Sequence, residues 1–142
     1  MRDAKQAVEL LKTLVIDDYE LHVPLHPYIL SFQKERLGMD EEETTLRRIL
    51  TKKAFPPNKG FDEVPVFTEE HKNGISSLIV SDPSCNLLTE KNGKYYTYPT
   101  SWELYDYMAE KIASENGLKH KRERIANDDE HRLYLSYSFL DN

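Results

Sequence analysis

Residues 119–140, KHKRERIANDDEHRLYLSYSFL, contain two segments of strand-like composition separated by a short acidic stretch. The second segment alternates bulky apolar side chains with polar or amphipathic ones, and this period of two is typical of a strand with one buried face. We predict that the two segments pair as an antiparallel hairpin around residues 127–130. The side chains expected to face the core are Leu133, Leu135, Tyr137 and Phe139.

Four more strands are predicted upstream of this hairpin. Asn92-Gly93 is the strongest turn signal, because a two-residue type I′ turn needs positive φ at both central positions. Pro65 limits the first of the four strands to a sheet edge, since proline cannot donate a hydrogen bond to a neighbouring strand. The four strands are expected at residues 64–68, 75–81, 86–91 and 94–98.

Four helices are predicted from capping residues and from apolar side chains that recur at helical spacing. The first covers about residues 4–16, the second runs from Pro27 to near Gly38, the third follows Asp40 and stops before Pro56, and the fourth follows Thr100 and stops at Asn116-Gly117. The apolar residues expected to be buried are Ile29, Leu30, Phe32 and Leu37 in the second helix, Leu46, Ile49, Leu50 and Ala54 in the third, and Trp102, Leu104, Tyr105, Met108, Ala109 and Ile112 in the fourth.

This order of elements, ααα-ββββ-α-ββ, predicts an α+β fold in which N-terminal helices pack with an antiparallel sheet. The length of 142 residues suits one compact domain over residues 1–142. Because Cys85 is the one cysteine, no internal disulfide is expected, and a cytoplasmic location is favoured. No apolar run approaches the roughly 18 residues of a membrane span, so a membrane location is not expected.

The C-terminal part of the chain combines negative charge with aromatic residues. Residues 61–142 hold fifteen Asp and Glu against nine Lys and Arg, whereas residues 1–60 hold ten of each. On a helical wheel, Tyr107 falls among glutamates on the polar side of the fourth helix, and strand alternation places Tyr134 on the outer face of the last strand. Tyrosine is favoured at interfaces because it covers contact area with few rotatable bonds.

We therefore predict an outward acidic, tyrosine-bearing surface that binds another protein, and a basic partner is favoured. The residues assigned to it are Tyr95, Glu103, Asp106, Tyr107, Glu110, Asp128, Asp129 and Tyr134. Under this hypothesis the protein is a small non-catalytic domain of the inhibitor, immunity-type or regulatory class, including phage-encoded modulators. Association of the chain with a second copy stays open.

The alternative hypothesis is a winged-helix-like DNA-binding regulator, since three helices precede a hairpin. The basic residues that would contact DNA lie within residues 40–54 and are Arg47, Arg48, Lys52 and Lys53. Nucleic acid is less favoured as a partner, because a recognition helix presents its first turn to the groove and here that turn holds three glutamates.

No catalytic, metal or cofactor motif stands out, so we expect no enzyme activity and no cofactor. Glu20, His22 and His26 are of metal-ligating types, but Pro24 and Pro27 interrupt the helix that a His-x3-His metal site needs. An enzyme would become the better hypothesis if the fold brought Cys85, Asp17 or Asp18 beside a histidine in a pocket.

Overall fold

The computed structural model describes residues 1–54, 66–82, 88–91, 94–97, 102–127 and 132–141, which form four helices and six strands. In chain order the elements are α1 (Ala4–Glu20), α2 (Pro27–Leu37), α3 (Glu41–Ala54), β1 (Val66–Lys72), β2 (Ile75–Asp82), β3 (Leu88–Lys91), β4 (Lys94–Thr97), α4 (Trp102–Glu115), β5 (Lys119–Asn127) and β6 (Arg132–Leu140). The predicted α+β class and the predicted order of elements are confirmed.

The main sheet is antiparallel, with four strands in the order β1-β2-β6-β5, while β3 and β4 pair separately. β5 and β6 form the predicted closing hairpin, and β1 lies at the opposite edge of the sheet. The predicted alternation in β6 is confirmed for Leu135, Tyr137 and Phe139, which are buried, whereas Tyr134, Ser136 and the other intervening residues are half-buried. The cationic strand β5 occupies an edge, where charged side chains hinder pairing with further strands.

One face of this sheet packs against α1 and α4, and this contact forms the core. Leu78 and Val80 of β2 lie in it beside the buried side chains of β6. The predicted apolar side of α4 is confirmed where its side chains are described: Leu104, Tyr105, Met108, Ala109 and Ile112 are all buried. Each large apolar side chain removed from water contributes about 1.5–3 kcal/mol.

α1 begins at the predicted capping box but ends later than predicted. Asp3 Oδ1 accepts a hydrogen bond from the Gln6 amide at 2.8 Å, and Gln6 Oε1 accepts one from the Asp3 amide at 2.9 Å. The helix runs to Glu20 rather than to residue 16, and it ends where Leu21 adopts a left-handed backbone with φ of 56°. The extra turn contains two buried residues, Asp18, which pairs with a cation from α3, and Tyr19.

α2 begins at Pro27 and ends before Gly38, as predicted. His26 caps its first turn, because its Nδ1 accepts a hydrogen bond from the Tyr28 amide at 3.1 Å. Gly38, with φ of 66°, supplies the left-handed conformation that ends the helix. Ile29 and Phe32 are buried as predicted, but Leu37 is 53% exposed. That prediction was wrong because Leu37 occupies the last turn of α2, where the side chain extends into solvent.

Several predictions concern residues outside the described ranges. They include the Asn92-Gly93 turn, Cys85, Asp128 and Asp129, and the side chains of Trp102, Leu133 and Tyr95 are likewise not described. Within the described part of the chain, none of the helices combines the length and the apolar character needed to cross a bilayer.

Candidate interaction surface on the third helix

α3 presents its apolar side to solvent, opposite to the prediction. Leu46 and Leu50 are each 55% exposed and Ile49 is 39% exposed, whereas Thr44 and Arg48 on the other side of the helix are buried. α3 is amphipathic as predicted, but its predicted orientation was wrong, because the apolar side faces solvent. A group of neighbouring apolar side chains directed outward is a candidate contact surface, because monomeric proteins expose few large apolar patches.

A buried ion pair fixes this orientation. Arg48 Nη1 lies 2.7 Å from Asp18 Oδ1, with 8% and 1% of the two side chains exposed. The Arg48 Nη2 also donates to the backbone carbonyls of Asp17 and Asp18 at the end of α1. A cation is favourable there because the carbonyl end of a helix carries partial negative charge. The pair holds the polar side of α3 against the body of the protein and so directs Leu46, Ile49 and Leu50 outward.

The outward side of α3 contains a seam of four residues at spacings of four, three and four: Glu42, Leu46, Ile49 and Lys53. All four are exposed, and Leu50 lies beside the two central ones. This spacing is that of the a and d positions of a coiled coil, which line up along one side of a helix. We call these four residues the α3 seam.

An open groove runs along one side of the α3 seam. It has a volume of about 560 Å³ and is lined by Glu41, Glu42, Thr45, Leu46 and Ile49. The groove therefore places acidic residues at the first turn of α3 and apolar ones in the middle. This combination of shape and charge suits the side chains of another helix better than a phosphate backbone.

The basic residues assigned to DNA contact do not form one surface. Arg48 is buried in the ion pair with Asp18, so its assignment to a DNA-contacting surface was wrong. Arg47, Lys52 and Lys53 are exposed, but Lys53 belongs to the α3 seam with Leu46 and Ile49. Sequence patterns could not predict that Arg48 is buried, because its partner Asp18 lies thirty residues earlier, on another helix.

Tyr107, predicted on an outward face, is only 5% exposed. α2 covers it: its ring meets the Phe32 ring edge-on with centroids 5.4 Å apart, and the charged groups of Arg36 and Lys111 lie 5.8 and 5.4 Å from its centroid. Its hydroxyl donates to Glu35 Oε2 at 2.8 Å. Burial, reinforced by this hydrogen bond, raises the pKa of Tyr107 to about 12. The expected exposure was wrong because α2 packs over Tyr107 itself, while Glu103 and Glu110 on the same side of α4 stay exposed.

Asp106, predicted to add surface charge, is 7% exposed. Its Oδ1 accepts a hydrogen bond from the Tyr137 hydroxyl at 2.9 Å, and its Oδ2 contacts Arg124 and lies 3.7 Å from Arg122 Nη1. The prediction of an outward carboxylate was wrong because β5 packs beside α4 and brings two guanidinium groups to Asp106. The residue ties α4 to the sheet.

The remaining assigned residues do not restore a shared surface with Tyr107. Tyr134 lies on the sheet face opposite to the helices, in register with Ser81, and is half-buried. Glu103 and Glu110 are exposed on α4. Because Tyr107 lies under α2 and Tyr134 faces away from the helices, the two proposed anchors cannot contact one partner surface together.

The end of α1 brings Asp17 beside a histidine, one of the arrangements that would favour an enzyme. His22 Nδ1 lies 3.0 Å from Asp17 Oδ1, and His22 Nε2 lies 2.8 Å from Glu20 Oε2. Both ring nitrogens therefore face carboxylates, and half of the His22 side chain is exposed. The three side chains form a cluster at the protein surface in which both ring nitrogens of His22 lie within hydrogen-bonding distance of a carboxylate.

A second cluster joins α1 to the edge strand β1. Potential ligand atoms of Glu9, Glu69 and His71 lie within 4.8 Å of one another. A hydrogen bond between the two carboxyl groups raises the pKa of Glu9 and lowers that of Glu69, which Lys12 also lowers from 3.6 Å away. His71 Nδ1 lies 2.9 Å from Ser76 Oγ. Lys12 thus offsets part of the repulsion between the two carboxylates, and at low pH a proton held between them offsets it further.

Comparison of the chain with protein-family models, with curated proteins and with solved structures finds no match in any of the three. The case for a function therefore depends on the geometry of the described residues, of which the α3 seam is the most distinctive.

Proposed function

We propose that this protein is a non-catalytic protein-binding domain and that the α3 seam holds an amphipathic helix of its partner. The observation that carries the proposal is the exposure of Leu46, Ile49 and Leu50 on one side of α3. Helices that recognise one another in this way use apolar anchors at spacings of three and four residues. The seam supplies such anchors in its middle.

The chemistry of the seam defines the partner helix. Its centre must be apolar to cover Leu46 and Ile49, and its ends must place a cation near Glu42 and an anion near Lys53. Burial of the exposed apolar area contributes about 25 cal/mol per Å², and the freedom that the two partners lose on binding offsets part of it. The charges at the two ends add direction rather than much affinity, since exposed ion pairs contribute about 0–1 kcal/mol each.

The cost of displaying this surface supports the proposal. Burying Arg48 and Asp18 removes two charges from water, and such burial is unfavourable unless the pair is well matched. A helix held only by its apolar side would place Leu46 and Ile49 against α2 instead. The chain keeps the ion pair inside and the apolar residues outside, which is useful if the outer side binds something. As an inhibitor or regulatory modulator, the domain would act by occupying a helix of its target.

Photo-crosslinking in the cells that make the protein tests this proposal. A benzophenone amino acid replaces Leu46 in one full-length variant and Lys52 in a matched control, which is exposed on α3 but lies about 100° around the helix from the seam. We expect the probe at position 46 to form an adduct with an amphipathic helix of the partner. The probe at position 52 should not form this adduct, and Ile49→Glu should abolish the adduct at position 46. Equal adducts at both positions, or adducts that Ile49→Glu leaves unchanged, would contradict the proposal.

A further inference from the structure

The partner helix defined by the α3 seam has the same pattern as α3 itself. We infer that two copies of this chain associate through α3, antiparallel and related by a two-fold axis. This inference rests on the proposed function, because it names the partner of the same surface.

The positions of the four seam residues carry the inference. The midpoint between Leu46 and Ile49 falls between residues 47 and 48, and the midpoint between Glu42 and Lys53 falls at the same place. A two-fold axis through that point sets Leu46 against Ile49 of the second copy and Glu42 against Lys53 of the second copy. In antiparallel coiled coils the a residues of one helix contact the d residues of the other. Leu46 and Lys53 hold a positions and Glu42 and Ile49 hold d positions, so all four contacts between the two helices pair an a residue with a d residue.

Charge selects the antiparallel arrangement over the parallel one. Parallel helices would set Glu42 against Glu42 and Lys53 against Lys53, which places like charges at both ends of the seam. The two-fold arrangement gives an opposite-charge contact at each end from a single sequence, as a symmetric interface between identical chains requires. The exposure of all four residues leaves the seam accessible to a second copy.

The size of the seam sets the strength of the association. α3 has 14 residues, so one pair of these helices buries less than the roughly 1,200 Å² of a stable interface. We therefore expect a weak, reversible dimer that forms in the micromolar range and loosens as salt screens the end contacts. Such a dimer would compete with any other helix that binds the same seam.

Analytical ultracentrifugation of the full chain, over about 5–500 μM at low salt, tests the inference. Wild-type protein should shift from monomer to dimer across this range. Glu42→Lys and Lys53→Glu should each weaken dimerisation by about tenfold or more, because each replaces two attractive end contacts with two repulsive ones. An equimolar mixture of the two variants should form a heterodimer, since every end contact is then attractive, and the double variant should regain the wild-type affinity.

Thermal melting controls for folding. Each single variant reverses one charge that is favourable at its end of α3, so each should lower the melting temperature by no more than a few degrees. The double variant, which carries both reversals, should melt no higher than the single variants although it dimerises like the wild type. Wild-type protein that stays monomeric to about 500 μM would overturn the inference, as would single variants that dimerise like the wild type or a mixture that forms no heterodimer. If the chain is monomeric but the benzophenone at position 46 captures an amphipathic helix of another protein, self-association fails while the proposed function stands. If position 46 captures nothing beyond the Lys52 control, the proposed function fails.

Discussion

Arg48 Nη1 and Asp18 Oδ1, thirty positions apart in the chain, lie 2.7 Å from each other and form a buried ion pair between α3 and the end of α1. This contact determines which side of α3 faces solvent. The helix alone would bury its apolar side, and the ion pair turns that side outward. The candidate interaction surface is therefore a consequence of a long-range electrostatic contact.

Replacing Arg48 with alanine should lower the free energy of unfolding by about 3–5 kcal/mol, because it leaves the Asp18 carboxylate buried without its guanidinium partner. Arg47→Ala on the same helix is the matched control and should lower stability far less than Arg48→Ala, since Arg47 is exposed and its contact with Met39 Sδ is long, at 3.5 Å. Urea denaturation of both variants measures the difference. Equal losses for the two arginines would contradict the role assigned to Arg48.

A double variant separates the ion pair from the packing around it. Asp18→Leu together with Arg48→Met removes both charges and fills a similar volume, so it should recover most of the stability lost in Arg48→Ala. In the same variant α3 should no longer be held in one orientation, because an apolar contact does not require the polar side of the helix to face inward. Reduced photo-crosslinking from position 46 in this background would show that effect.

Local signals in the sequence predicted most of the fold. The alternation in β6 and the Asp3 capping box depend on neighbouring residues only, and both are confirmed. The orientation of α3 could not be predicted in this way, because it depends on the contact between Asp18 and Arg48. The prediction that Tyr107 is exposed was wrong for the same reason, since a helical wheel shows which residues share a side but not which element covers that side.

Tyr107→Ala should lower the free energy of unfolding by about 3–5 kcal/mol, the usual cost of deleting a buried aromatic ring. Tyr107→Phe keeps the ring against Phe32 and loses only the hydrogen bond to Glu35, so it should cost about 1 kcal/mol. Glu110→Gln, an exposed change on the same helix, is the control and should have little effect. A small loss for Tyr107→Ala would show that the ring is not part of the core.

The Tyr107 hydroxyl also makes stability depend on alkaline pH. Its pKa is raised from 10.0 to about 12, chiefly by burial. The neutral phenol is therefore favoured in the folded state, and its contribution is present below pH 10 and lost as the pH rises toward about 12. Denaturation curves at pH 9 and pH 11 should show a smaller drop in stability for Tyr107→Phe than for the wild type. An identical drop in both proteins would contradict this assignment.

His26 should make stability depend on mildly acidic pH. Burial lowers its pKa from 6.5, and its Nδ1 must stay unprotonated to accept the hydrogen bond from the Tyr28 amide. A lowered pKa means that this stabilisation is present above pH 6.5 and is lost as the pH falls through the folded-state value. His26→Asn retains a capping acceptor, so its stability should fall less than that of the wild type between pH 7 and pH 5.

Alanine at position 26 supplies the matching control for the cap itself. His26→Ala removes the acceptor at every pH and should cost about 1 kcal/mol at pH 7, where the wild-type cap is intact. Its penalty relative to the wild type should shrink at pH 5, because protonation removes the same hydrogen bond from the wild type. A penalty that stays constant from pH 7 to pH 5 would mean that His26 does not titrate as described.

The carboxyl pair between α1 and β1 gives a prediction of opposite sign, a variant more stable than the wild type. The hydrogen bond to Glu69 raises the pKa of Glu9 above 4.5, so protonated Glu9 favours the folded state below that pH and the contribution is lost as the pH rises through the folded-state value. Once the pH is above the folded-state pKa of Glu9, both groups carry negative charge and repel each other. Glu9→Gln removes this repulsion and keeps a donor for Glu69.

Glu9→Gln should therefore stabilise the protein at pH 7, by up to about 0.5 kcal/mol because Glu9 is exposed, and should leave stability nearly unchanged at pH 4. Glu70→Gln makes the same chemical change on β1 at the next position along the strand, whose side chain points to the other face of the sheet, and serves as the control. Urea denaturation at the two pH values measures both variants. Because Glu9 shares a hydrogen bond with Glu69 and Glu70 lies on the other face of the sheet, a gain that appears equally in Glu70→Gln would point to overall net charge instead of this pair.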